Sequence, residues 1–191
     1  EAALETSRDE GEPDDRYYAR VLERSFEETS EAAELGTKIH DAIDAYFDGV
    51  SPPEDLAQYV NPTIEYLKTL NLTDIRREDV VVNSAEGYAG RVDLMAKYGN
   101  ANIIIDFKTK KTKEGVKVTP FDYQATQIAG YAMAAFGSLD KCYGANIYIS
   151  TTEPGRIEKA VYNQETLESE YEVLVNIASI WRHLKKYDPR S

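Results

Sequence analysis

The chain has 191 residues, 42% of them hydrophobic, enough for one domain with a real core. It has no run of about eighteen apolar residues and no basic segment followed by an apolar one at its start, so neither a membrane span nor a signal peptide is expected. A net charge of −12 argues against a surface that is basic throughout, and a single cysteine, Cys142, excludes an internal disulfide, a four-cysteine iron–sulfur cluster and a thiolate zinc site.

Residues 1–15 are acidic and nearly devoid of large apolar groups, which predicts a flexible lead-in. A single domain over 16–191 is expected to follow, helical over 16–71 and built from strands and helices over 72–191. Helix formers dominate from Arg16 to Glu34, with Tyr17, Val21 and Leu22 at helical spacing, and Ile39, Ile43 and Tyr46 or Phe47 predict a second helix from Gly36 to about Phe47. Pro52 and Pro53 then open a helix whose apolar stripe is Leu56, Tyr59, Val60, Ile64 and Leu67, with a kink possible at Pro62.

From Ile75 the period changes. Val80 to Val82, Tyr88 to Tyr98 and Asn102 to Thr109 read as strands of a meander, with turns at Glu86-Gly87 and Gly99-Asn100. A polar, lysine-rich loop over 110–119 precedes a helix from Pro120 to Phe136 that stops at Gly137. Strands over Gly144 to Thr151 and Arg156 to Tyr162 flank the turn Glu153-Pro154-Gly155. A helix from Gln164 to Lys186 closes the chain, its stripe formed by Leu167, Tyr171, Leu174, Ile177 and Trp181. The negative charge is uneven along this order: residues 1–34 hold twelve acids and four arginines, whereas Arg76 to Lys117 holds nine basic and six acidic side chains. The cluster Lys108, Lys110, Lys111, Lys113 and Lys117 is either a solvated loop or a track for phosphates.

Chemistry concentrates on two of the strands. Alternation places Asp106 and Lys108 on one face of the third strand and Phe107 on the other. Asp106 follows Ile103, Ile104 and Ile105, where an ionised carboxylate leaving an apolar core needs a cation beside it. Asp93 lies one hairpin earlier, so the two carboxylates can converge, and hard oxygen donors of this kind suit Mg²⁺ or Mn²⁺. Asp106-x-Lys108 alone reads as an ion pair on an exposed strand, since the pattern occurs often by chance. His40 alone reads as a packed or capping histidine more often than as a ligand, Asp44 one turn on could orient its imidazole, and Gln127 and Tyr131 share a helical face that could simply bridge core and solvent.

The order of the motifs narrows these readings. Gly36-Thr37-Lys38-Ile39-His40, then Glu78, Gly90 to Asp93, Asp106-Phe107-Lys108-Thr109 and Gln127-Ile128-Ala129-Gly130-Tyr131 together resemble the RecB-like branch of the PD-(D/E)XK nuclease superfamily. Within that branch the likeness is to the mitochondrial genome maintenance exonuclease family and its bacterial or phage-encoded relatives, and it runs from about Leu35 to the end. Val92 stands where the superfamily's name has proline, and the four cysteines of the cluster-containing relatives are absent.

The resemblance implies an α/β restriction-endonuclease-like core, a central mixed sheet of about five strands flanked by helices. It implies Mg²⁺ or Mn²⁺ held by His40, Asp93, Asp106 and the Phe107 carbonyl, and catalysis by Asp93, Asp106, Lys108, Gln127 and Tyr131. Arg91, Lys110, Lys111, Lys113 and Lys117 would follow the nucleic-acid backbone. The expected substrate is DNA, single-stranded with a free end, in an intracellular setting such as a bacterial or phage-infected cytoplasm or a mitochondrion. An endonuclease of the same superfamily, an inactive DNA-binding module and a phosphoesterase acting on a small molecule are the competing readings.

Overall fold

The computed structural model describes residues 6–190. Its elements are α1 (Asp14–Phe47), α2 (Ala57–Thr69), β1 (Thr73–Asn83), β2 (Tyr88–Tyr98), β3 (Ala101–Lys110), α3 (Tyr123–Phe136), β4 (Cys142–Ser150), β5 (Ile157–Tyr162) and α4 (Gln164–Lys185). The strands form one mixed sheet in the order β1-β2-β3-β4-β5. All neighbours are antiparallel except β3 and β4, which are parallel. That parallel step needs a crossover, and α3 supplies it. The expected α/β class, the meander and the flanking helices are therefore present.

Strand alternation sends apolar side chains to both faces, and each face carries a helical layer. On one face Leu94, Ile103, Ile105, Phe107, Ile147 and Ile149 pack against Ile39 and Ile43 of α1 and Val60, Ile64 and Leu67 of α2. On the other, Val81, Val92, Met95 and Ile104 meet Ile128, Ala129 and Ala132 of α3, with Leu167 of α4. Pro62 lies inside α2 without ending it. α3 ends as expected at Gly137, whose φ of 70° is the left-handed conformation that closes a helix cheaply only at glycine.

Five expectations change. The two N-terminal helices are one, running through Leu35 and Gly36, because nothing there removes a backbone donor. A side chain at Gly36 would stand 3.0 Å from Thr109 Oγ1, so the glycine serves close approach of α1 to β3 and does not mark a break. Residues 14 and 15 of the expected lead-in belong to α1, and Arg20 reaches back to the Ser7 carbonyl at 2.8 Å and to Glu12 at 2.9 Å; residues 1–5 lie outside the described chain. α3 begins at Tyr123, not Pro120, and β1 is longer than its valine run. Finally, several apolar stripes are only partly covered. No side chain over residues 14–34 is buried, Leu22 is exposed, and of the α4 stripe only Leu167 is buried while Ile177 and Trp181 are exposed.

The contact between β4 and α3 leaves no room for a side chain at Gly144, where a Cβ would lie 2.4 Å from Ile128 Cγ2 and 3.2 Å from Leu167 Cδ2. Gly144→Ala is expected to lower stability by about 1–3 kcal/mol through overpacking. In urea unfolding, adding Ile128→Ala should cost less than the sum of the two single changes; strict additivity would show that this contact does not limit the packing.

Candidate active site at the fork of β2 and β3

The β2–β3 ladder runs from Tyr98 opposite Ala101 to Leu94 opposite Ile105. One step further, at Asp93, the side chain takes over: Asp93 Oδ2 accepts the Phe107 N–H at 2.7 Å. β2 continues its pairing with β1 and β3 its pairing with β4, so the two strands part at this point. His40 approaches the fork from α1, with its ring edge-on to Phe107 at 5.9 Å between centroids and its Nδ1 3.5 Å from Asp93 Oδ2.

On the opposite face, Asp106 is 3% exposed and its charge is met by Lys108, whose Nζ lies 2.7 Å from Oδ2. Asn146 of β4 donates to the same oxygen at 2.8 Å, and Tyr162 of β5 donates to Asn146 Oδ1 at 2.8 Å. Lys108 Nζ also donates to Gln127 Oε1 at 3.3 Å, and Gln127 Nε2 donates to the Tyr131 hydroxyl at 2.8 Å. A Cβ at Gly90 would stand 2.3 Å from Cε1 of the Tyr131 ring, so glycine on β2 is what lets that ring lie against the fork.

The electrostatics follow from this crowding. Burial, then the neighbouring Asp106 carboxylate, pushes the Asp93 carboxyl up to about 6, against the Phe107 N–H that favours its ionised form. Burial lowers the His40 pKa, which favours the neutral imidazole with its available lone pair. Glu78, at a φ of 51°, is also raised, by burial despite the opposing Arg91 charge. It sits between Arg77 and Asp79, which pair with Leu94 and Val92, so it flanks Asp93 from β1.

The expected residues Asp93, Asp106, Phe107, Lys108, Gln127, Tyr131 and His40 thus gather around one fork. Asp44 does not orient His40: its carboxylate accepts from Arg77 Nη1 at 2.7 Å. Arg91 pairs with Glu78 at 2.9 Å and is otherwise exposed. Lys110 continues the Asp106–Lys108 row, whereas Lys111, Lys113 and Lys117 border, with Lys110, a shallow groove along the 110–119 loop. That loop is tied down, since Arg156 donates to the carbonyls of Lys113 at 3.0 Å and Val116 at 2.6 Å.

Asn146 and Tyr162 were not among the expected site residues. A lone asparagine in the run Ala145-Asn146-Ile147 was the available signal, because a buried amide demands a polar partner.

Among the described residues no three His, Cys, Asp or Glu side chains form a ready-made metal site. The donors nevertheless suit a hard divalent cation in kind: a neutral imidazole, a peptide carbonyl, and two carboxylates whose mutual repulsion a cation would relieve. No helix among the described residues is long and apolar enough to cross a membrane.

Neither the protein-family models nor the curated proteins include a match to this chain. Among solved structures it is similar to the crystal structure of SSO0001, at 17% identity and a TM-score of 0.33, over 64% of this chain and 57% of that one.

The raised Asp93 pKa has a sign that can be measured. Its ionised form is disfavoured in the folded protein, so stability referable to this group is full below about pH 4 and lost as pH rises through about 6. Asp93→Asn keeps an acceptor for the Phe107 N–H and removes the charge. In chelator-containing buffer it should stabilise the fold at pH 7.5 by on the order of 1–3 kcal/mol, with the gain vanishing near pH 4. An equal shift at both pH values would place its origin elsewhere.

Proposed function

We propose that the chain is a metal-dependent deoxyribonuclease that hydrolyses phosphodiester bonds in single-stranded DNA from a free end. The observation that carries this reading is the convergence of Asp93, Asp106 and Lys108 at a point where two paired strands part. A carboxylate pair beside one ammonium group is what a phosphodiester and a divalent cation require together. The resemblance of the ordered motifs to those of RecB-like nucleases supports the same reading.

Asp93, Asp106, His40 and the Phe107 carbonyl would hold Mg²⁺ or Mn²⁺. When bound, the cation supplies Lewis acidity, which neutralises phosphoryl charge and acidifies water. Lys108 contributes a positive charge beside the phosphoryl oxygens and a proton donor at Nζ. Gln127 holds that ammonium in place through Oε1, and Tyr131 fixes Gln127 in turn. Asp93 orients the Phe107 peptide by accepting its N–H. The neutral form favoured at His40 leaves a nitrogen lone pair to donate.

One observation favours the alternative of a DNA-binding module without activity. Asp106 is already engaged by both Lys108 and Asn146, so part of its ligand capacity is in use.

Labelled linear single-stranded DNA decides between the two. Linear strands should be degraded with Mg²⁺ or Mn²⁺ and spared with chelator, with closed circular strands and duplex cut far more slowly. Asp106→Ala and Lys108→Ala should each lower the rate per folded molecule by at least about 100-fold. Binding of DNA without cleavage under any of these metals would establish the binding module, and cleavage of circular strands as fast as linear ones would establish an endonuclease.

His40 separates ligation from packing. His40→Ala should weaken Mn²⁺ binding and lower the rate, with a melting temperature close to that of the parent. Loss of stability with full activity per folded molecule would remove His40 from the site.

A further inference from the structure

Two rows of side chains lead outward from the fork. On β3, Asp106, Lys108 and Lys110 recur every second residue, about 6.7 Å apart along the strand. On α3, Tyr131, Gln127 and Tyr123 recur every fourth, about 6 Å apart along the helix axis. Two contacts join the β3 row to the α3 side. Lys108 Nζ meets Gln127 at 3.3 Å, and one step further out Lys110 Nζ lies 4.6 Å from the centre of the Phe121 ring.

At this outer end Phe121 and Tyr123 are 55% and 65% exposed, although both are large and apolar. Their rings are parallel to within 3° with centroids 6.1 Å apart. Their exposure is not slackness of the chain. The Phe121 N–H donates to Gln124 Oε1 at 3.1 Å and its carbonyl accepts the Gln124 N–H at 3.0 Å, while Gln124 is itself buried and accepts from the Tyr148 hydroxyl at 2.5 Å. A backbone pinned from the core thus presents two rings to solvent beside an ammonium group.

We propose that Phe121 and Tyr123 are a stacking platform for an unpaired nucleobase, with Lys110 on the adjoining phosphate, so that a single strand runs along this path toward Lys108. An aromatic face is attractive to any base and an ammonium to any phosphate, which makes the site tolerant of sequence. A duplex cannot use it, because its base faces are already stacked. Asp122, between the two in sequence and exposed, disfavours a phosphate beside it and leaves that role to Lys110. The platform rests on the reading of the fork as a nuclease centre, and it supplies the selection of single strands that the fork itself does not.

The test is binding in chelator, where cleavage cannot interfere. Fluorescence anisotropy is read with labelled decathymidylate and with an abasic oligonucleotide of the same length. Replacing both rings by leucine (F121L with Y123L) keeps apolar bulk without the aromatic face. It should weaken decathymidylate binding by about 10–100-fold and leave abasic binding and its salt dependence as in the parent. Tyr123→Phe should bind decathymidylate like the parent. Lys110→Met should weaken both oligonucleotides and lower the salt slope by about one phosphate's worth.

The platform is overturned if the parent does not bind decathymidylate, if the double leucine variant binds it as the parent does, or if the abasic strand loses as much. Cleavage of the same oligonucleotide by the parent with Mn²⁺ is scored separately. Ring-dependent binding without cleavage sinks the nuclease reading and keeps the platform; cleavage without ring dependence does the reverse.

Discussion

Asp93 accepting the Phe107 N–H is the interaction on which the site depends. Had the β2–β3 ladder continued past Leu94 and Ile105, each backbone group would have found its partner in the neighbouring strand, and the sheet would have stayed closed. The carboxylate satisfies one of the freed donors, so the strands can part without leaving a buried N–H unpaired. The same act draws Asp93 out of water and toward Asp106, which is why its carboxyl is pushed up to about 6. Opening of the sheet and destabilisation of charge are therefore one event.

The rest of the site compensates for that charge in layers. Asp106, almost fully buried, is bound by Lys108 on one side and by the Asn146–Tyr162 pair on the other. Lys108 is then tied to Gln127 and through it to Tyr131. A buried carboxylate left without such partners would be strongly destabilising, and a half-satisfied network worse than an apolar core. The chain of bonds spans β3, β4, β5 and α3, so the polar centre also sets how those elements sit together.

His40 is positioned from the other side by an anchor at the end of α1. The last turn of that helix has no basic residue of its own. Arg77 of β1 supplies the charge, with Nη1 at 2.7 Å from Asp44, Nη2 at 2.7 Å from Asp48 and its guanidinium over the Phe47 ring at 5.3 Å. A cation there complements the negative end of the helix. It also holds the helix against the sheet one turn beyond His40. Close approach of α1 further along is allowed by Gly36 opposite Thr109.

Most elements, the meander, the helix that stops at Gly137 and the candidate carboxylates were legible in the sequence, because they depend on period and local chemistry: Ile103 to Phe107 alternates into two cores, Gly137 ends a helix, and Asp106 with Lys108 must share a face. Other features depended on partners distant in sequence. Gly36 reads as a break until Thr109 lies against it, and Asp44 reads as the partner of His40 until Arg77, thirty-three residues on, claims it. Asn146 and Tyr162 acquire meaning only when β4 pairs in parallel beside Asp106 and β5 follows it. Sequence thus determined which side chains share a face over most of an element, since that follows from helix and strand periodicity. Only the tertiary structure decided which polar groups meet, because buried hydrogen bonds are satisfied across elements.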